Sequence, residues 1–332
     1  MLARKMRLRC NGVEVGTTPM IVPAFSSRAN IPIVKALEIM SETITGSILI
    51  SAYDVKWAPK GFPPITFPDL IFLDSGGYEV LKDQEVSAIG FYQPESKDWN
   101  REMHLKVLKE WPKDIPTVLI SFDLPLERKS TEEQIEDVKV LFNEFHETDN
   151  ILKEILIKPE TIRRKRIHLK DITKNIDSLT TFDILGFTEK ELGKSIFDRM
   201  TTIAKIRVEL DRHGIQIPIH IFGSLDTVTT PLYYFSGADI FDGLAWLRFV
   251  FHEGETLYID SFGPKLRGMQ TIRTDLDSLY MTTIALNYTY MLSLKEDLEK
   301  FQSTGKFDCF ENNSKFFYDA NEKLKAIVPE VK

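Results

Sequence analysis

Phe72-Leu-Asp-Ser-Gly-Gly-Tyr-Glu79 is the stretch from which the fold is read. The apolar run Asp69-Leu-Ile-Phe-Leu73 leads into it, and Asp74 ends the run. A short apolar run followed at once by Ser75, Gly76 and Gly77 predicts a buried strand and the turn after it. Neither glycine carries a Cβ, so the backbone here can approach a flat ligand closely. Asp74 then stands at the carboxyl end of a strand, where α/β enzymes keep their chemistry.

Outward from this stretch, β-type runs alternate with amphipathic segments. Strands are predicted at Ser47–Ala52, Leu70–Leu73, Thr117–Phe122, Ile155–Ile157, Phe182–Leu185, Ile217–Phe222 and Ile240–Leu244. Several are apolar throughout, as strands of a parallel sheet covered on both faces must be. Thr131–Glu147, Glu189–Arg212 and Thr227–Ser236 can supply crossover helices. This alternation predicts an α/β protein, a (β/α)8 barrel in preference to an open sheet, as a single domain over residues 1–332. Helices from about Asp275 close it at the C-terminal side.

Composition agrees with a globular chain: 332 residues, 43% hydrophobic and 27% charged. The first residues lack the long apolar stretch of a signal peptide, and no apolar run reaches the ~20 residues that span a bilayer. The two cysteines, Cys10 and Cys309, lack metal-ligand spacing, so a reducing cytoplasm, no cofactor and no membrane are expected. A net charge of −7 argues against binding nucleic acid by general electrostatics, but leaves room for a local basic patch.

Acidic residues recur at predicted strand ends. Thr117–Phe122 runs into Asp123, and Asp242 falls within what reads as the next-to-last strand. A single aspartate in such a place is most often a helix cap or turn former. Three at converging strand ends can instead face one pocket.

Asp74-Ser-Gly-Gly-Tyr78, Phe122-Asp123, Gly186-Phe-Thr-Glu-Lys-Glu191, His220-Ile-Phe-Gly223-Ser224 and Gly237-Ala-Asp-Ile-Phe-Asp242 stand in this order across residues 70–250. In type and order they resemble the motifs of the tRNA-guanine transglycosylases, enzymes that exchange a guanine for a 7-deazaguanine. The resemblance implies base exchange with retained configuration, through two displacements and a covalent aspartyl–sugar intermediate. It implies that Asp242 is the nucleophile and Asp74 the general acid and base. Asp123 would hold the base through its N–H edge, with Ser75, Gly76, the backbone at Gly186 and Phe187, and Gly223 completing the pocket. Glu191 matches a glutamate that discriminates incoming bases. Tyr78 either walls the pocket of an unstacked nucleotide or packs in the barrel.

The chain also departs from that family. Relatives acting on tRNA carry Cys-x-Cys-x-x-Cys and a later His for zinc, whereas no cysteine lies between Asp242 and Cys309, and Leu286 stands where the His would be. No zinc subdomain is therefore expected. Ile157-Lys158-Pro159 replaces a Gln-Gly pair. Lys158 either reads the base carbonyl, pairs with a pocket carboxylate or sits on the surface.

Arg163, Arg164, Lys165 and Arg166, followed by His168 and Lys170, place six basic residues within eight positions. They read as a phosphate-contacting element or as a solvated helix face. Arg248 matches a family arginine near the bound strand, and Trp246 and Phe249 either stack on a base or pack in the core. Without the zinc module and an appended RNA-binding domain, the chain resembles the branch that inserts 7-deazaguanines into DNA in bacterial or phage-infected cytoplasm. The alternatives are tRNA as the polymer, hydrolytic removal or exchange of free bases, and a non-catalytic nucleic-acid-binding subunit on the same barrel. A homodimer is left open, since relatives dimerise beside the missing zinc module. Purified protein should contain no stoichiometric zinc by metal analysis and should keep its circular dichroism spectrum in chelator.

Overall fold

Parallel strands need crossover connections, and here each crossover carries the chain to the neighbouring strand until the sheet meets itself. The computed structural model describes residues 1–29, 32–58, 61–80, 97–123, 127–145, 150–259, 261–262, 265 and 276–331. β1 (Arg7–Cys10) and β2 (Val13–Thr17) form an antiparallel hairpin. β3 (Met20–Phe25), β4 (Ser47–Ser51), β5 (Leu70–Asp74), β6 (Thr117–Ile120), β7 (Ile151–Ile157), β8 (Ile184–Thr188), β9 (Ile219–Phe222) and β10 (Ile240–Gly243) follow in chain order around a closed barrel. β10 pairs with β3 to complete it, Asp242 opposite Val22. The protein is a (β/α)8 TIM barrel with C-terminal helices. Beyond it come the hairpin β11 (Phe249–His252) and β12 (Glu255–Tyr258), then helices Leu276–Thr304 and Ser314–Ile327.

Side chains alternate across each strand. Val22, Phe72, Val118, Leu152, Ile184 and Ile240 meet in the barrel interior, while Ile50, Leu73, Leu119, Ile155, Phe187 and Phe241 face the helical layer. Leu8 and Cys10 of the first hairpin are buried in the interior cluster, where they stop the amino-terminal end of the barrel.

The expected barrel is present, with shifts at its edges. β3 was not foreseen; with it in place, Asp242 lies on the last barrel strand and not the next to last. β7 begins at Ile151, four residues earlier than expected, and β8 runs from Ile184 to Thr188, so that Gly186 and Phe187 lie within a strand. Glu189–Arg212 divides into Glu189–Leu192 and Ile196–Arg212, the latter opened by a Ser195–Asp198 capping box. Thr131–Phe142 forms the helix expected to reach Glu147, and residues 146–149, like Leu124 and Pro125, lie outside the described residues. The basic run at 163–166 forms a turn and loop, not a helix face.

An ion pair anchors the lower end of the closing strand. The fully buried Arg207 guanidinium pairs with Asp239, which immediately precedes β10, and donates to the carbonyls of Gly237 and Ile217 at 2.9 Å each. The Asp239 carboxylate also accepts the Ile219 N–H at 2.7 Å, joining β9 to β10. Breaking a buried pair strands the remaining charge. Asp239→Ala should therefore cost about 3–5 kcal/mol in chemical denaturation, against less than half that for the exposed Arg212–Glu330 pair.

Candidate active site

Ile240 points into the barrel, so Asp242, two residues on, points the same way at the strand's carboxyl end. Its Oδ1 accepts the Gly223 N–H at 3.0 Å and lies 3.3 Å from His220 Nε2. Its Oδ2 has no partner among the described residues. Gly223 takes φ +77° in the turn after β9, and the space a Cβ would fill there is open. Asp242 is thus a buried carboxylate with one oxygen anchored and the other unengaged.

Asp74 reaches the same face from β5. Its Oδ2 accepts the Gly76 N–H at 3.1 Å. Burial, with the charges of Glu79 and Asp242, pushes its carboxyl up to about 8, above the ordinary carboxylate range. Glu79 accepts from Ser26 Oγ and Ser51 Oγ, and burial and Asp54 carry it to about 7. Asp54, which accepts the Ser27 N–H at 3.0 Å, is raised to about 6, chiefly by burial. These three carboxyls share one poorly solvated corner, where ionising one disfavours ionising the next.

The glycines after Asp74 serve a different purpose from the one expected. A Cβ on Gly76 would lie 2.6 Å from Tyr53 Cβ, and one on Gly77 2.5 Å from the Asp123 carbonyl oxygen. Their bareness lets the turn pack on its own neighbours; no ligand space opens there. Ser75 is buried, its carbonyl accepting Trp99 Nε1–H at 2.8 Å. Tyr78 is partly exposed with the Arg28 guanidinium 5.3 Å over its ring, which places it at the barrel face and not in the core.

Asp123, Lys158 and Glu191 come together across the ends of β6, β7 and β8. Lys158 Nζ lies 3.2 Å from Asp123, 2.9 Å from Glu191 and 2.9 Å from Thr188 Oγ1. Arg128 bridges the same carboxylates at 3.4 and 3.3 Å. Burial opposes the charge on Lys158, but Asp123 and Glu191 outweigh it and raise its pKa. Of the alternatives open for Lys158, pairing with pocket carboxylates is the one observed. Asp123, Arg128 and Lys158 also line a cavity of about 270 Å³ with Phe122 and Leu156, a cavity that neither Asp74 nor Asp242 lines.

The remaining expected residues divide. Gly186 faces the interior, where a Cβ would lie 2.7 Å from both Glu154 Oε1 and the Phe222 ring. The Phe187 side chain points outward into the helical layer. Arg163, Arg164 and Lys165 are exposed and Arg166 half-buried; Arg164 pairs with Glu160 and Asp171. Arg163 borders a groove with Arg128 and Lys129, so the basic run adjoins the Lys158 network. Arg248 is part-buried and donates to the Arg28 carbonyl at 2.5 Å. Trp246 is wholly buried, edge-on to Phe25, which settles it as core.

Glu154 and His220 were not foreseen as a pair. His220 Nδ1 lies 2.8 Å from Glu154 Oε1, and both side chains are fully buried. Burial works against the imidazolium, yet Glu154 and Asp242 outweigh it and raise His220 to about 9. The signal was parity: Glu154 alternates with Leu152 and Leu156, and those two face the barrel interior.

Among the described residues, no group of three or more His, Cys, Asp or Glu is arranged to hold a metal ion, and no helix is long and apolar enough to cross a membrane. No protein-family model matches the chain, and no curated protein matches it.

The raised acids give stability a definite pH dependence. Asp54, Glu79 and Asp74 bind protons in the folded chain at pH values where the unfolded chain has released them. Their contribution is complete below about pH 4, the ordinary carboxylate range, and is lost as pH rises through about 6 to 8. His104, lowered to about 3 by burial, opposes this trend by one proton, and only below its unfolded value near 6.5. Denaturant midpoints should fall between pH 5.5 and 8.5, and Glu79→Gln should flatten that fall.

Proposed function

We propose that this protein is a base-exchange transglycosylase, a pentosyltransferase that replaces guanine in DNA with a 7-deazaguanine such as 7-cyano-7-deazaguanine. The observation that carries the reading is the contrast between two carboxyls on one barrel face. Asp74 is held protonated, and Asp242 presents an unengaged oxygen while its other oxygen is anchored. An acid that holds its proton and a carboxyl with an unengaged oxygen, on one barrel face, are what a two-step displacement needs.

In the first step Asp242 Oδ2 attacks C1′ of the sugar. The C1′–N bond breaks, its electron pair leaves with the guanine, and Asp74 supplies the proton. In the second step the incoming base gives its proton to Asp74 and attacks C1′, and the pair of the C1′–Oδ2 bond returns to Asp242. Configuration is inverted twice and so retained. Asp123, Lys158 and Glu191 form a carboxylate–ammonium–carboxylate row, complementary to a guanine edge with its carbonyl and N–H groups. Reading the base there means exchanging ion pairs for hydrogen bonds to it, which favours a base with both donors and an acceptor. Arg163, exposed in a groove with Arg128 and Lys129, and the exposed Lys165 two residues on, suit phosphate contacts.

Incubation with labelled guanine and duplex DNA, single-stranded DNA or tRNA tests the reading, together with a denaturing-gel trap of the adduct. Wild type should form the adduct with DNA, and an adduct with tRNA alone would move the substrate to tRNA. Asp242→Asn should abolish adduct and exchange, because an amide is a far weaker nucleophile. Asp74→Asn should lower exchange by roughly 100- to 10,000-fold. An Asp242→Asn protein that still forms the adduct would sink the assignment. Alanine at Arg163, Arg164 and Arg166 should weaken polynucleotide binding and flatten its salt dependence.

A further inference from the structure

Each ring nitrogen of His220 faces a carboxyl oxygen, and from opposite sides; only Nδ1 is hydrogen-bonded. Nδ1 faces Glu154 Oε1 at 2.8 Å, and Nε2 faces Asp242 Oδ1 at 3.3 Å. Burial raises the Glu154 carboxyl and the charge of His220 pulls it back down; with a carboxyl oxygen beside each nitrogen, the ring that suits both is the one carrying hydrogen on each, the imidazolium. The ring is sealed in place. Phe222 stacks on it with centroids 4.0 Å apart, and Phe72 meets it edge-on at 5.5 Å. Space for this arrangement exists because β8 carries Gly186, whose absent Cβ would collide with Glu154 and Phe222 alike. The structure therefore invests a strand position, two aromatic rings and a second carboxylate in one histidine behind Asp242.

We propose that Glu154 and His220 are positioning residues that hold an imidazolium behind Asp242, pinning Oδ1 and aiming Oδ2 at the sugar. This rests on the transglycosylase reading, in which neither residue was given a role. An imidazolium between the two carboxyls lets Asp242 be buried without facing an uncompensated like charge. The consequence falls unequally on the two steps. Ester formation removes the charge of Asp242, and displacement by the incoming base restores it. Compensation by His220 helps most where the charge returns, so breakdown of the adduct depends on it most. His220 itself gives up no proton in either step.

Two measurements test this. The first needs no substrate: nitrogen-15 imidazole shifts of the wild-type protein, with His220 assigned among the six histidines through His220→Gln. The ring should be doubly protonated at pH 7.5 and titrate near 9, where burial is outweighed by Glu154 and Asp242. Glu154→Gln and Asp242→Asn should each lower that midpoint. A neutral ring at pH 7.5 would overturn the proposal. The second follows decay of the trapped adduct after addition of base. The charged groups facing His220 are Glu154 from β7 and Asp242 from β10; β5 and β8 present only Phe72 and Gly186. Asp74 acts one step removed, through Asp242, and supplies the acid limb of the decay profile. Wild type should lose activity again near pH 9. His220→Gln, which keeps an N–H donor without the charge, should slow decay about 100-fold, let adduct accumulate, leave KM for the polynucleotide nearly unchanged and lack the alkaline limb. Decay at the wild-type rate with the alkaline limb intact would refute it. A wild-type protein that forms no adduct on any polynucleotide would instead fail the transglycosylase reading, with the imidazole titration still deciding the charge state of His220.

Discussion

Pairing of β10 with β3 sets the depth and direction of every group at the barrel mouth. With Ile240 opposite Met20 and Asp242 opposite Val22, the nucleophile candidate points inward. A register slip of one residue would turn Asp242 into the helical layer and Phe241 into the interior. The buried Arg207–Asp239 pair reduces the scope for such a slip, because Asp239 is tied to the Ile219 amide just before β10 begins. An ionic lock at the bottom of the barrel thus governs geometry at the top.

Around the mouth, charge is handled in three ways. On the β4–β5 side, Asp54, Glu79 and Asp74 are crowded out of water and hold their protons to higher pH than ordinary carboxyls do. On the β6–β8 side, Asp123 and Glu191 are neutralised by Lys158 and Arg128. Asp242 lies between them, backed by His220. A barrel interior lined mainly by aliphatic side chains makes these differences large, since little water is present to even them out.

Legibility in the sequence followed the strength of local signals. β5 and its terminal aspartate were plain because Leu70-Ile-Phe-Leu73 is uniformly apolar and glycines follow. β3 was hidden by Pro23, since a proline inside an apolar run argues against a central strand. β7 was shortened because Lys153 and Glu154 interrupt its apolar pattern; the interruption marks a buried carboxyl on the inner face. The order of Asp74, Asp123 and Asp242 could be read, but their electrostatic surroundings could not. Those depend on residues 66 and 35 positions apart, such as His220 with Glu154 and Lys158 with Asp123. Nor could the glycines' purpose be seen, because what a Cβ would strike at Gly77 belongs to β6's exit.

The hairpin that stops the barrel has a further consequence for how the chain is made. β3 leaves the ribosome long before β10, yet finds one of its two neighbours only when β10 has emerged. At about 5–20 residues per second, that interval is on the order of ten seconds or more. Throughout it, one edge of β3 offers unpaired backbone groups, and Leu8 and Cys10 have no finished interior to enter. Nascent chains of this protein therefore carry an open β3 edge, able to pair with other strands, until β10 is made.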